Sequence, residues 1–315
     1  MNKVKLGYLL PTREKVMVGQ HGTAELLALA RQAADLGFDS LWAGDSLLAR
    51  PRHDPLTLLA AVAASTDKVQ LGTAVLLPAL RNPIILAQQL ATIDQLSEGR
   101  LVVGAGIAAD HPGIRHEFAA AGVPFEGRVG RLLEGFRLCR ALWSGERVNW
   151  EGRWQVTDAQ LGPEPFQKGG PPIWLGATVE AGIKRAAKHF DGWFPIGPDA
   201  KEFARRETLF RTTAEAAGRD VAALSTTLYV TIAVAESELL GDQAINAYLQ
   251  DYYGAPAEMM RSIQACYGGP IEKVMEFLSG YVAAGAQHLV IRVVGDHPST
   301  LRALAGARGQ IDLAT

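Results

Sequence analysis

Short β-rich runs alternate with helix-period segments along the whole 315-residue chain, and this alternation limits the fold more than any other feature. Val4–Leu10 is apolar and carries no helix signal, so it reads as a strand. Thr23–Leu36 has helical composition and stops at Gly37, a residue suited to the left-handed position past a helix end. Ser40–Ala43 reads as the second strand, and Asp54-Pro55 opens the next helix as cap and first-turn proline. Val69–Leu77 is the third strand. Asn82-Pro83 repeats the cap-and-proline start, Gly99 closes that helix, and Leu101–Ile107 is the fourth strand. A long helix follows from about Glu126 to Trp143, and Ile173–Leu175, Trp193–Ile196, Thr226–Val234 and Leu289–Val294 complete the strands. Eight strands, nearly all separated by helices, predict an α/β fold whose parallel sheet closes into a (β/α)8 TIM barrel. An open dinucleotide-binding sheet would call for a GxGxxG turn after the first strand, and none stands there.

Two stretches exceed a minimal barrel. Residues 145–171 form an excursion before the fifth strand, and residues 236–270, mostly helical in pattern, follow the seventh. Neither holds enough apolar residues for its own core, so residues 1–315 read as one barrel domain. A composition 48% hydrophobic and 20% charged supplies the large interior such a barrel needs. The net charge of −2 offers no basic field for nucleic acid. Cys139 and Cys266 cannot build a disulfide framework, and no Cys/His set has zinc spacing, so no metal is expected. Gly7 and Pro11 break the opening apolar stretch, and no run approaches the ~20 apolar residues of a membrane span. The expectation is a soluble cytoplasmic protein acting on a small molecule, without membrane or nucleic-acid partners.

In such a barrel the chemistry belongs at the C-terminal ends of the strands. Gly176-Ala177-Thr178 lies between a strand and a helix, where free N–H groups and a hydroxyl suit a phosphate, or simply begin an ordinary helix. Gly104 and Gly106 either open the mouth to a flat ligand or allow tight helix–strand packing. Asp45 follows the second strand and is either a cap or a site acid. His53 and His111 lie in loops at the same end as candidate acids or bases. Arg131 and Glu134, one turn apart, read as an exposed ion pair, Cys139 as core and His189 as surface. Tyr252, Tyr253 and Tyr267 either line a substrate cavity or pack the late insertion down. With no nucleophile elbow, P-loop or metal triad, such a site suits a bound cofactor that performs the chemistry itself.

These segments, taken in order, resemble the bacterial luciferase-like family of flavin- and deazaflavin-dependent oxidoreductases. The resemblance runs through ADLGFDSLWAGD (34–45), DPLTLLA (54–60), LGTAVLL (71–77), Asn82-Pro83, LSEGRLVVGAG (96–106), RLLEGFRLCRALW (131–143), PPIWLGA (171–177) and Asp191-Gly192-Trp193. It implies the (β/α)8 barrel reached above, a homodimer, and a non-prolyl cis peptide at Ala74-Val75 behind the flavin ring. It places Gly176, Ala177 and Thr178 on the cofactor phosphate, Arg131 at a phosphate-contacting position, Gly106 at the mouth and Asp45 beside the flavin. The sequence departs from the pattern at Ser46, where many relatives have His, at Ala109, where some deazaflavin enzymes have an acid, and at Ile107, where luciferase has Arg. His53 or His111 would then have to handle protons. The expected activity is a monooxygenase using reduced FMN and O2 on a small organic substrate, with FMN supplied by a separate flavin reductase. The alternatives are a dehydrogenase or reductase using deazaflavin coenzyme F420, and a flavin-binding protein without catalysis.

Overall fold

The computed structural model describes residues 3–312. Its strands are β1 (Lys5–Leu9), β2 (Ser40–Ala43), β3 (Gln70–Thr73), β4 (Leu101–Ala105), β5 (Val148–Glu151), β6 (Gln155–Ala159), β7 (Ile173–Leu175), β8 (Gly192–Trp193), β9 (Ser225–Val234), β10 (Cys266–Gly269) and β11 (His288–Val294). Parallel pairing runs β1-β2-β3-β4-β7-β8-β9-β11 and returns to β1, which closes the eight-stranded barrel the alternation predicts. Helices start where the cap residues say they should. Asp54 accepts from Thr57 N at 2.8 Å and Asn82 from Ile84 N at 2.9 Å, each with proline in the first turn.

Both insertions stand outside this ring. Residues 145–171 carry the antiparallel hairpin β5–β6. The late insertion holds a helix, Glu238–Tyr253, but also ends in β10, a strand the helical reading of 236–270 did not include. The reason lies in unequal strand lengths. β9 has ten residues, and short β8 pairs only with its start at Ser225–Thr226. Its upper edge would be left with unpaired N–H and C=O groups, and β10 covers Thr231–Val234 there. The run Cys-Tyr-Gly-Gly has little strand propensity of its own, so tertiary pairing decides its conformation.

The barrel floor is aromatic. Trp42 packs on Trp174 and Phe194 with ring centroids 5.5 and 5.2 Å apart, beside Leu9, Val102, Tyr229 and Val290. His288 sits among them with its ring nitrogen 2.6 Å from Ser40 Oγ, which also accepts from Trp42 Nε1. Burial pushes His288 down to about 3, so the ring is neutral. A second, larger apolar layer joins the outer faces of the strands to the helices. Among the described residues no helix is long and apolar enough to cross a membrane. The strands' C-terminal ends all open on one face, and that face carries the loops considered next.

Candidate functional site

On the β3–β4–β7 side, the Ala74-Val75 peptide is cis, as the resemblance implies. The third strand's pairing stops at Thr73 and resumes beyond the cis bond, where Leu76 N donates to Gly104 O and Gly106 N to Leu76 O at 2.7 and 2.8 Å. These glycines do serve close packing, but against the neighbouring third strand and the segment just past it rather than the helix expected. A Cβ on Gly106 would stand 2.6 Å from Val75 Cγ2, and one on Gly104 would run into the Thr73 carbonyl. Next to them, Gly176 N donates to Ala105 O at 2.8 Å and Trp193 Nε1 donates to Ala177 O at 2.8 Å, which fixes the β7 loop. The helix that follows, Glu180–His189, starts at Val179 with no side-chain cap, unlike those starting at Asp54, Asn82, Asp199, Ser237 and Asp296. Its first-turn N–H groups and the exposed Thr178 hydroxyl can receive an anion. This chain's own donors therefore fit a cofactor phosphate at Gly176–Thr178.

The three residues expected to handle protons each make structural contacts. Asp45 is buried at its side chain, held by Arg81 Nη1 and Nη2 and by Leu77 N at 2.8 Å. Both carboxylate oxygens are thus committed to bracing the segment after the cis peptide. His53 meets the carbonyls of His21 and Thr12 at 2.9 and 3.4 Å, tying the loop after β2 to the one after β1. His111 is exposed and caps the helix Pro112–Ala120, its Nδ1 accepting from Gly113 N at 3.2 Å. Sequence position put these residues at the correct end of the barrel but could not say which way their polar atoms point. Ser46 donates to Glu117, a buried carboxylate that also receives Leu48 N and Ala49 N, so the second loop is pinned from below. Arg131 donates to Ala79 O at 2.7 Å and lies over the Trp154 ring. The expected Arg131–Glu134 pair does not form. Buried Glu134 instead accepts from Arg153 N at 2.6 Å and pairs with its guanidinium, because the β5–β6 hairpin folds over that helix.

The opposite side of the mouth is built from groups the sequence reading left unassigned. Arg292, in β11, is 5% exposed. Its guanidinium lies 4.4 Å from the Tyr252 ring centre and 4.8 Å from that of Tyr229, and Nη1 donates to Tyr253 Oη at 2.9 Å. Arg13 follows β1, and Arg50 and Arg52 lie in the loop after β2. They reach the same tyrosines at 4.9 Å (Arg13 to Tyr252), 4.9 Å (Arg50 to Tyr253) and 5.9 Å (Arg52 to Tyr252). Arg52 fills the space a side chain on Gly44 would take. Tyr252 and Tyr253 therefore line this side of the mouth, whereas Tyr267 stacks on Phe277 at 5.2 Å, away from the cluster. The one available signal was an arginine inside an otherwise apolar strand, Ile291-Arg292-Val293.

Comparison with known proteins agrees with this architecture. A family model described as luciferase-like monooxygenase matches residues 4–297. An F420-dependent glucose-6-phosphate dehydrogenase from Kineococcus radiotolerans is 31% identical, covering 94% of this chain and 93% of its own. One of the same name from Rhodococcus erythropolis is 30% identical over 93% of each. Among solved structures, an F420-dependent secondary alcohol dehydrogenase superposes with a TM-score of 0.84 at 19% identity, over 98% of this chain and 99% of the other. The monooxygenase RslO1 from Streptomyces bottropensis gives 0.82 at 26% identity, over 96% and 98%. A barrel of this form, with its family model matched nearly end to end, makes the chain a member of the luciferase-like monooxygenase family of oxidoreductases.

Proposed function

We propose that this protein is an oxidoreductase that uses the deazaflavin coenzyme F420 to move a hydride to or from a small organic substrate. The observation that carries this is likeness at 30–31% identity, over almost the full chain, to F420-dependent dehydrogenases. The order of the two readings reached from sequence is thereby reversed. An apolar mouth shelters a hydride transfer as well as it shelters oxygen chemistry, so it does not separate the two readings.

The uncapped helix start at Gly176–Thr178 would hold the phosphate, and Ala74, Val75 and Gly106 would form the wall against which a flat ring rests. When bound, the deazaflavin supplies a ring carbon that gives or accepts hydride but does not activate O2. Ala74 and Val75, packed on the aromatic barrel interior, keep that part of the mouth apolar. Asp45 and Arg81 hold the segment after the cis peptide in register. The reading assigns no proton transfer to Asp45 or His53, whose polar atoms are engaged elsewhere, nor to exposed His111, whose Nδ1 caps a helix.

The second reading, a reduced-FMN monooxygenase served by a separate reductase, draws support from the likeness to RslO1. Anaerobic titration with F420 and with reduced FMN decides between them. Binding of F420 at least tenfold tighter, with turnover that consumes no oxygen, is expected. Tighter binding of reduced FMN together with oxygen uptake would replace the first reading with the second.

A further inference from the structure

The Arg292 guanidinium poses a physical problem. A buried charge is normally paired, because removing it from water is costly and only a counter-ion recovers that cost. Three other shielded arginines are paired in this way: Arg81 meets Asp45, Arg211 meets Glu207 and Arg308 meets Asp39. Among the described residues, Arg13, Arg50, Arg52 and Arg292 form no ion pair within 4.0 Å. Glu14, whose charge reaches Arg13 and Arg52, accepts the Tyr248 hydroxyl. The four cations thus have no carboxylate in ion-pair contact. The Nε atoms of Arg292 and Arg13 are buried without any hydrogen-bond partner. Tyrosine faces attract guanidinium groups, but they carry no charge to balance them.

We propose that this arginine–tyrosine cage binds the anionic group of the substrate, a carboxylate or a phosphate. Arginine suits both, since its planar fork meets two oxygens at once. The cage is separate from the cofactor phosphate site. Around the barrel, β7 stands four strands from β1, so the Gly176–Thr178 loop and the exits of β11, β1 and β2 face each other across the mouth. A ring held from one side would therefore meet a substrate held from the other. The assignment rests on the hydride-transfer reading for the word substrate, but the anion site itself does not. It also predicts that uncharged alcohols bind poorly.

The test uses inorganic phosphate as the probe. The Thr178→Ala protein, whose β7 loop has lost its hydroxyl, is titrated by calorimetry alone and combined with Arg13→Gln, Arg52→Gln or Arg52→Lys. Circular dichroism and the thermal midpoint confirm folding, and the two glutamine variants provide independent handles should one fail to fold. Expected is a phosphate site weakened at least tenfold by either glutamine substitution and partly restored by Arg52→Lys, beside any residual binding at the β7 backbone N–H groups, which neither substitution changes. Binding that is absent with Thr178→Ala alone, or equally tight in both glutamine variants, overturns the proposal. Acetate is then added as competitor. Displacement at a concentration similar to that of phosphate assigns a carboxylate substrate; displacement only at far higher concentration assigns a phosphate, and either result supports the cage. A chain that binds phosphate here but neither F420 nor reduced FMN keeps the cage and loses the deazaflavin reading.

Discussion

The two sides of the barrel mouth are made on opposite plans. The β3–β4–β7 side is short side chains and backbone: a cis peptide, glycines packed against their neighbours, and a helix start without a cap. The β11–β1–β2 side is long side chains, four arginines laid over tyrosines that another element supplies. Backbone sites vary little when side chains change, so the first plan suits a ligand shared across a family. Side-chain sites change with every substitution, which suits a ligand particular to one member.

The strongest way to break this comparison is Arg292→Met. Replacing an unpaired buried cation by an apolar side chain of similar length is neutral or stabilising for the fold. We expect turnover to drop by roughly a hundredfold or more, with F420 affinity nearly unchanged and the thermal midpoint no lower. A midpoint that falls along with activity would make the arginine a structural element and the two sides alike.

Gly104→Ala probes the other plan. Its Cβ would collide with the Thr73 carbonyl, a backbone atom that cannot turn aside. Chemical denaturation should report a loss of about 2–3 kcal/mol, the usual cost of overpacking. Unchanged stability would mean that the strands there are looser than the side-chain-free packing requires.

Thr178→Ala should weaken F420 binding by ~1 kcal/mol, about fivefold, the ordinary worth of a hydrogen bond to a charged acceptor. Fluorescence titration reads this directly, and an identical dissociation constant would leave the phosphate to the backbone alone. The smallest effect belongs to His111→Ala. Losing one exposed helix cap costs on the order of 0.5–1 kcal/mol of stability, and turnover should remain within about twofold of the unaltered protein. A turnover loss above tenfold would return His111 to the chemistry.

What could be read beforehand divides along the same line. Strand and helix order came from local patterns such as Asp54-Pro55 and Asn82-Pro83, whose capping geometry is decided within four residues. The backbone side of the site was legible for a related reason, since a glycine-rich strand-to-helix turn is a local object. The arginine side was not. Arg13, Arg50, Arg52 and Arg292 are separated by up to 279 positions, and only barrel closure through β1 and β11 brings them to one pair of tyrosines, Tyr252 and Tyr253. For His53, His111 and Asp45, position along a strand fixes which end a residue occupies, not whom its side chain meets. The partners that claim them, such as Arg81 and Gly113 N, emerge only once loops are folded.

The strand β10 gives the late insertion a mechanical character. Helix Glu238–Tyr253 crosses it at Gly241 and Gly268, where the two backbones touch with no room for a methyl group on either. That contact is a fulcrum near one end of a rod of 16 residues, about 24 Å long at 1.5 Å per residue. Tyr252 and Tyr253 ride on its far end. A single methyl group added at the fulcrum would tilt the rod and sweep those rings across the mouth without altering any residue there. Two glycines at that crossing thus bear on where the tyrosines of the proposed anion cage sit, with the eight-stranded ring untouched.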